Sequence, residues 1–215
     1  KIIMKILCLT PIKHLNGMYN YLSSFGSVDY KPDLQKIDFN YFNIGNYDVI
    51  FCNPNKQNYY LDKTILDGFV GKILTASTGV NHIDVEYCAK VGIDVVSNAK
   101  DYALLDELPS TAELAFGLIL SLLRKIPDSF DSVKSGNWNY EDYVGHQLYK
   151  KTVGIIGYGR LGKMMCNYCS AFGANIEVYD PYKGYSDLKS LLLHSDVITL
   201  HVHSTKETKH MVNNS

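Results

Sequence analysis

Apolar positions fall into two alternating rhythms along this chain. Short continuous apolar runs at 2–9, 47–52, 72–75 and 95–97 predict buried strands, and apolar residues at helical spacing over 15–25, 61–69 and 85–90 predict helices between them. Asn53-Pro54 ends the second run, Asp84 can cap the helix over 85–90, and Gly92 can stop it. Residues 98–109 break the rhythm and read as a linker. Ser110-Thr111-Ala112-Glu113 then has the capping-box form, with Ser110 as N-cap, and opens a helix over 112–126. That helix is apolar on most sides, so it should be buried against a neighbouring domain or another subunit. Pro127 should break or kink it, with a further helical stretch to Gly136 and an irregular aromatic segment over 138–149.

The last third repeats the rhythm more sharply: strand 153–156, helix 163–172, strand 176–180, helix 186–194, strand 196–201. A second capping box, Ser204-Thr205-Lys206-Glu207, opens one more helix. Strands alternating with helices imply a parallel sheet with helices on both faces. The fold class is therefore α/β.

Between the strand at 153–156 and its helix stands Gly157-Tyr158-Gly159-Arg160-Leu161-Gly162, and Asp180 closes the next strand 18 positions later. A lone Gly-rich hexapeptide is weak evidence, but strand, turn, helix, strand and acid in this order make a dinucleotide-binding layout. Gly157 permits the tight turn, Gly159 lets a pyrophosphate approach the backbone, and Gly162 lets helix and strand pack closely. The free N–H groups of the helix start and its dipole attract phosphate. Asp180 can accept from the adenosine ribose hydroxyls and would repel a 2′-phosphate, favouring NAD over NADP.

The 215 residues suffice for one large or two small domains. A formal net charge of −1 favours neither nucleic acid nor a membrane surface as partner, and no apolar run reaches the length of a membrane span. Cys8, Cys52, Cys88, Cys166 and Cys169 show no disulfide-framework spacing, which points to reduced thiols in a cytoplasm. Cys166 and Cys169 form a CxxC inside the helix after the Gly loop. With no second ligand pair they read as buried helix residues, not a zinc or redox site.

A second constellation is the loop Ala76-Ser77-Thr78-Gly79-Val80-Asn81-His82-Ile83-Asp84, at the carboxyl end of a strand, where open α/β sheets bind ligands. Ser77, Thr78 and Gly79 can present N–H groups to a carboxylate, with Asn81 as a further donor. The alternative is a plain turn with Asp84 as N-cap and His82 on the surface. His201 and His203 share one face at the end of a strand, but two His without a third ligand make no metal site, and no metal is expected. Thr111, at a helix start, is either a cofactor contact or a cap-region residue.

With these pieces in order, the chain resembles the D-isomer-specific 2-hydroxyacid dehydrogenases, from about residue 48 onward. The resemblance rests on 78–84, on Ala112-Glu113 through Leu123-Arg124, on 151–180, on Ser195-Asp196-Val197-Ile198-Thr199-Leu200-His201-Val202, and on Glu207-Thr208. It implies a flavodoxin-like substrate domain segment at 1–105 and a Rossmann-type nucleotide-binding domain at 106–215, incomplete here, with the active site in the cleft. It also implies NAD as cofactor, a small 2-hydroxy or 2-oxo acid as substrate, and a homodimer formed through the nucleotide domain.

Residue by residue, the resemblance implies that Ser77, Thr78, Gly79 and Asn81 hold the substrate carboxylate. Thr111 would lie beside the cofactor, and Gly157, Gly159, Arg160, Leu161 and Gly162 would cradle the pyrophosphate. Tyr179, Asp180 and Pro181 would frame the adenosine, with His201, Val202, His203 and Thr208 near the cofactor's inner part. The chain departs from the family pattern in Lys100 and His203, each standing where Pro is usual, and in a longer stretch before Ala112. The family's catalytic Arg, acid and His fall beyond Ser215, so no catalytic residue is expected within these residues and the fragment alone is expected to be inactive. The strand at 153–156 is expected to lack a partner on one side, an exposed apolar edge. The implied activity is an NAD-dependent oxidoreductase; the alternative is a non-catalytic NAD(H)-binding sensor or interaction protein. An adenosylmethionine-dependent methyltransferase shares the Gly turn but not the 78–84 loop or the long apolar helix.

Overall fold

A computed structural model describes residues 4–54, 58–205 and 207–213. The chain divides into two compact units, residues 1–102 and 103–215. The first holds a five-stranded sheet, every neighbouring pair parallel, in the order β2-β1-β3-β4-β5. Its strands are β1 (Met4–Cys8), β2 (Gly26–Tyr30), β3 (Val49–Cys52), β4 (Lys72–Thr75) and β5 (Asp94–Ser97), connected through the short helices α1 (Met18–Ser23), α2 (Lys63–Leu66) and α3 (Val85–Val91). This is the flavodoxin-like strand order. Leu7, Leu9, Ile50, Leu61, Leu66 and Ile73 are fully buried at its centre.

β1 and β4 are exposed at their amino ends and buried or half-buried beyond them, and β3 is buried or half-buried throughout, as expected of strands covered on both faces. β2 is absent from the sequence reading because Gly26-Ser27-Val28-Asp29-Tyr30 has only two apolar side chains and lies at the sheet edge. α1 and α2 are shorter than the spacing at 15–25 and 61–69 suggests; α2 is one turn, capped by Asp62, which accepts from the Thr64 and Ile65 amides. α3 matches its signals: the Asp84 carboxylate accepts from Tyr87 N, and Gly92 closes the helix at φ +81°. The first two positions of the 2–9 run lie outside the described residues.

α4 (Tyr102–Asp106) falls at the boundary of the two units, so the 98–109 segment is not a bare linker. α5 (Ser110–Leu123) starts one residue earlier than a Ser110 cap requires, with Glu113 N bonded to Pro109 O. Ser110 is thus a first-turn residue and the capping box does not form. α5 ends at Leu123, because Lys125 takes a left-handed φ of +51°, and Pro127 lies in the first turn of α6 (Ile126–Lys134), where its missing N–H costs nothing. Only Ala112 and Ile119 of α5 are buried, whereas Leu114, Leu118 and Leu122 are 66%, 55% and 77% exposed.

β6 (Thr152–Ile156), α7 (Arg160–Ala171), β7 (Asn175–Tyr179), α8 (Leu188–His194) and β8 (Val197–Leu200) complete this unit. The sheet order is β7-β6-β8, all parallel. β6 is therefore central, not the exposed edge the sequence reading expects. The connection through α8 carries the chain back across β6, and β8 pairs on the open side, where Lys151 Nζ and Thr152 N both bond the Asp196 carboxylate at 2.8 Å. After β8 the expected helix is not present among the described residues: 207–210 form a turn, in which Thr205 N donates to Thr208 Oγ1 at 2.8 Å and Thr208 N to Thr205 Oγ1 at 3.3 Å. Lys206 lies outside the described residues.

Candidate active site

The order β7-β6-β8 reverses direction at β6, and ligands of open α/β sheets sit at such switch points, beyond the carboxyl ends of the strands. Here those ends are Gly157 and His201. Gly157 N donates to Tyr179 O at 2.8 Å, and its φ of +96° turns the chain out of β6. A Cβ at 157 would meet His201 O at 2.7 Å and Val202 Cγ1 at 2.9 Å, so only glycine fits between the two strand ends. A Cβ at Gly162 would overlap Gly157 O, which seats α7 directly on the turn. Gly159 differs: nothing lies within 4 Å of where its Cβ would be.

α7 supplies the electrostatics. Its first internal bond is Lys163 N to Gly159 O, and the amides of Gly159, Arg160, Leu161 and Gly162 have no intramolecular acceptor among the described residues. Four free N–H groups at the positive end of a 12-residue helix, facing a glycine with open space, fit a pyrophosphate. Arg160 does not reach over this turn: its Nη1 donates to Leu108 O at 2.8 Å. Leu161 is half-buried against the second unit's core.

Asp180 holds the turn from outside. Its Oδ2 accepts from Tyr158 N at 2.9 Å and its Oδ1 from Tyr182 N at 3.2 Å, and Pro181 begins the 3₁₀ turn it caps. Each oxygen keeps a further lone pair for a ribose hydroxyl. Lys183 Nζ donates to Tyr158 O, and the Tyr158 ring packs edge-on to Tyr185 at 5.4 Å. Neither tyrosine nor Lys183 is singled out by motif spacing.

At the other strand end, His201 N donates to Ile156 O at 2.8 Å, while its Nε2 contacts Thr199 Oγ1 at 2.9 Å. Burial lowers the His201 pKa, so the ring is neutral around pH 7. His203 is exposed, and its carbonyl accepts from Thr208 Oγ1 at 2.6 Å. Val202 is half-buried beside Gly157, and Thr111 is exposed in the first turn of α5. No cluster of three metal-ligating side chains exists among the described residues. Cys169 is buried and Cys166 half-buried, both as free thiols.

In the first unit, the amides of Thr78, Gly79, Val80 and Asn81 have no intramolecular acceptor among the described residues, and Thr78, Gly79 and Asn81 are exposed. Ser77 is half-buried; its O accepts from Asn98 N at 3.1 Å and its Oγ donates to Gly79 O at 2.8 Å. The loop is thus a row of free donors beyond the end of β4, a form suited to a carboxylate. His82, which a plain surface turn would leave exposed, is fully buried. Its carbonyl accepts from Leu61 N and its ring contacts Thr75 Oγ1, drawing the side chain under the loop.

Residues 116–215 match the family model described as D-isomer specific 2-hydroxyacid dehydrogenase, NAD binding domain. A D-3-phosphoglycerate dehydrogenase of Methanocaldococcus jannaschii is 40% identical over 148 residues, 64% of this chain and 27% of the relative. A hydroxypyruvate reductase of Thermotoga maritima is 38% identical over 148 residues, 66% of this chain and 47% of the relative. Among solved structures, a D-lactate dehydrogenase from Aquifex aeolicus, complexed with NAD and lactic acid, superposes with a TM-score of 0.77 at 30% identity, covering 97% of this chain and 63% of that one. The chain spans between about a quarter and a half of the length of the first curated relatives it matches. With both the matched residues and the strand-end geometry in agreement, residues 116–215 of the second unit carry the NAD-binding domain of the D-isomer specific 2-hydroxyacid dehydrogenase family.

Proposed function

We propose that this chain is part of an NAD-dependent dehydrogenase that moves a hydride between the nicotinamide and a small D-2-hydroxy acid or its 2-oxo partner. The observation that carries this reading is the pair of unpaired amide rows, one at Gly159–Gly162 beside open space and one at Thr78–Asn81. They suit a pyrophosphate and a carboxylate, the two anions such a reaction must hold. The first unit is assigned to the substrate and the second to the cofactor.

Bound NAD would supply the hydride acceptor and, reduced, the hydride donor. The chain's own residues bind and orient. Gly157 turns the chain so that the amides of Gly159, Arg160, Leu161 and Gly162 are offered to the pyrophosphate, and the Arg160 side chain would have to leave Leu108 to add its charge. Asp180, with Tyr179 and Pro181, accepts from the ribose and repels a 2′-phosphate. Neutral His201, Val202, His203, Thr208 and Thr111 line the approach to the inner part of the cofactor. Ser77, Thr78, Gly79 and Asn81 fix the carboxylate, which sets the orientation of the neighbouring carbonyl carbon. Proton transfer is assigned to none of these 215 residues.

Leu114, Leu118 and Leu122 form an exposed i, i+4, i+8 stripe on α5, and we assign it to a homodimer contact. No helix among the described residues is long and apolar enough to cross a membrane. The full-length polypeptide, offered NADH or NADPH with glyoxylate, hydroxypyruvate, pyruvate or 3-phosphohydroxypyruvate, is expected to oxidise NADH with at least one acid. No turnover with any of them would overturn the reading.

A further inference from the structure

We propose that His82 is a positioning residue for the carboxylate loop, acting through a one-way hydrogen-bond chain over Thr75 and Ser77 to the carbonyl of Gly79. This rests on the reading of Thr78, Gly79 and Asn81 as the carboxylate cradle.

The chain follows from counting protons. Ser77 Oγ donates its single proton to Gly79 O at 2.8 Å. In its 2.8 Å contact with Thr75 Oγ1 it can therefore only accept. That consumes the one proton of Thr75, so Thr75 must accept in its 3.0 Å contact with His82 Nε2. The His82 ring consequently carries its proton on Nε2. Cys52 Sγ, 3.6 Å from the same nitrogen, fits as a weak second acceptor, and burial keeps that thiol protonated by pushing its pKa to about 12.

The geometry explains why a histidine is buried here at all. His82 and Thr75 are both buried, on either side of the loop they subtend, whereas Thr78, Gly79 and Asn81 are exposed. Pinning the Gly79 carbonyl inward turns the Gly79–Val80 peptide so that its amide faces away from that carbonyl. The interior thereby sets the direction of the free amide row through the single side-chain contact at Gly79 O. A hydrophobic residue at 82 would leave Thr75 free to donate elsewhere and would release Ser77 from its single orientation.

Two kinds of measurement on the full-length polypeptide test this. Long-range nitrogen–proton NMR of the His82 ring is expected to show the Nε2–H tautomer; an Nδ1–H tautomer would overturn the chain. For the loop, Thr75→Val keeps shape but removes the relay, and His82→Leu removes the donor, whereas His82→Gln places an amide donor near Nε2. The KM for the 2-oxo acid is expected to rise about five- to tenfold in Thr75→Val and His82→Leu, the scale of one lost buried hydrogen bond. It should stay within about threefold in His82→Gln, with the NADH KM unchanged throughout. An equal KM in all three variants, or KM values for acid and NADH rising together, would overturn the positioning role. Amide exchange over residues 77–81 reads the same relay without turnover: faster exchange in Thr75→Val supports it and unchanged exchange sinks it. Should the wild-type polypeptide reduce no 2-oxo acid, the carboxylate reading fails by itself while these two readouts still decide the relay.

Discussion

Gly162 lies against the carbonyl of Gly157 so closely that a Cβ at 162 would overlap its oxygen, whereas the same atom at Gly159 would meet nothing within 4 Å. The two glycines of one motif therefore serve different ends. Gly162→Ala is expected to destabilise the second unit by about 1–3 kcal/mol, the cost of forcing a methyl into a packed backbone contact. Gly159→Ala should leave stability unchanged and weaken NADH at least about tenfold, because its methyl occupies the ligand's space. Thermal denaturation beside NADH fluorescence titration separates the two; a Gly159→Ala protein that binds NADH normally would refute the cradle.

Asp180 bonds the Tyr158 and Tyr182 amides, so its removal should act on the fold and on cofactor choice at once. Asp180→Ala is expected to cost about 1–2 kcal/mol, as for other caps, and to narrow the preference for NADH over NADPH. Asp180→Asn keeps one acceptor and loses the charge, so it should narrow the preference at a smaller cost in stability. Dissociation constants for both nucleotides check this, and an unchanged ratio in Asp180→Asn would count against charge as the discriminator.

His201 is held neutral by burial, so its folded pKa lies below the unfolded value of about 6.5. The unfolded chain then binds the extra proton more readily. The stability from the neutral ring is full above about pH 6.5 and is lost as pH falls through the folded pKa. Hydrogen exchange of the β6 and β8 amides at pH 7.5 and pH 5 is expected to show easier opening at the lower pH. His201→Gln should reduce that difference, and an identical pH response in the variant would exclude His201 as its source.

All five cysteines are free, and burial raises the pKa of each, to about 11 for Cys169 and about 12 for Cys52. Thiol reagents at pH 8 are expected to label the native protein slowly and to find five thiols once it is unfolded. Rapid native labelling of Cys166 and Cys169 as a pair would revive a redox role for the CxxC.

The stripe of Leu114, Leu118 and Leu122 predicts self-association of the second unit's surface. Leu118→Glu is expected to shift sedimentation from dimer to monomer while leaving thermal stability of the monomer fold nearly unchanged, since an exposed site tolerates substitution. A wild-type protein that sediments as a monomer would refute the dimer.

Legibility in the sequence varied with how local the cause was. β4 is observed at the residues the apolar run marks, and α3 ends where Asp84 and Gly92 say it should, because caps and buried runs act within one turn or strand. β2 escaped because an edge strand needs few apolar residues, and α4 because five residues make too short a pattern. Ser110 resembled a cap, but Pro109 already holds a helical φ and ψ, and its carbonyl takes the first bond.

By itself the sequence determined the strand–helix alternation and the placing of the Gly157–Gly162 turn, Asp180 and the 76–84 loop at strand ends, since each depends on residue type at short separation. Only the tertiary structure decided that β6 is central, that Arg160 reaches to Leu108, and that His82 is buried beneath Thr75. Those depend on which distant segments meet: β8 pairs with β6 across an intervening strand and two α-helices, and His82 is drawn in by the Leu61 backbone 21 residues earlier. No spacing rule encodes such meetings, because they are set by packing and by the pairing of backbone donors with acceptors far along the chain.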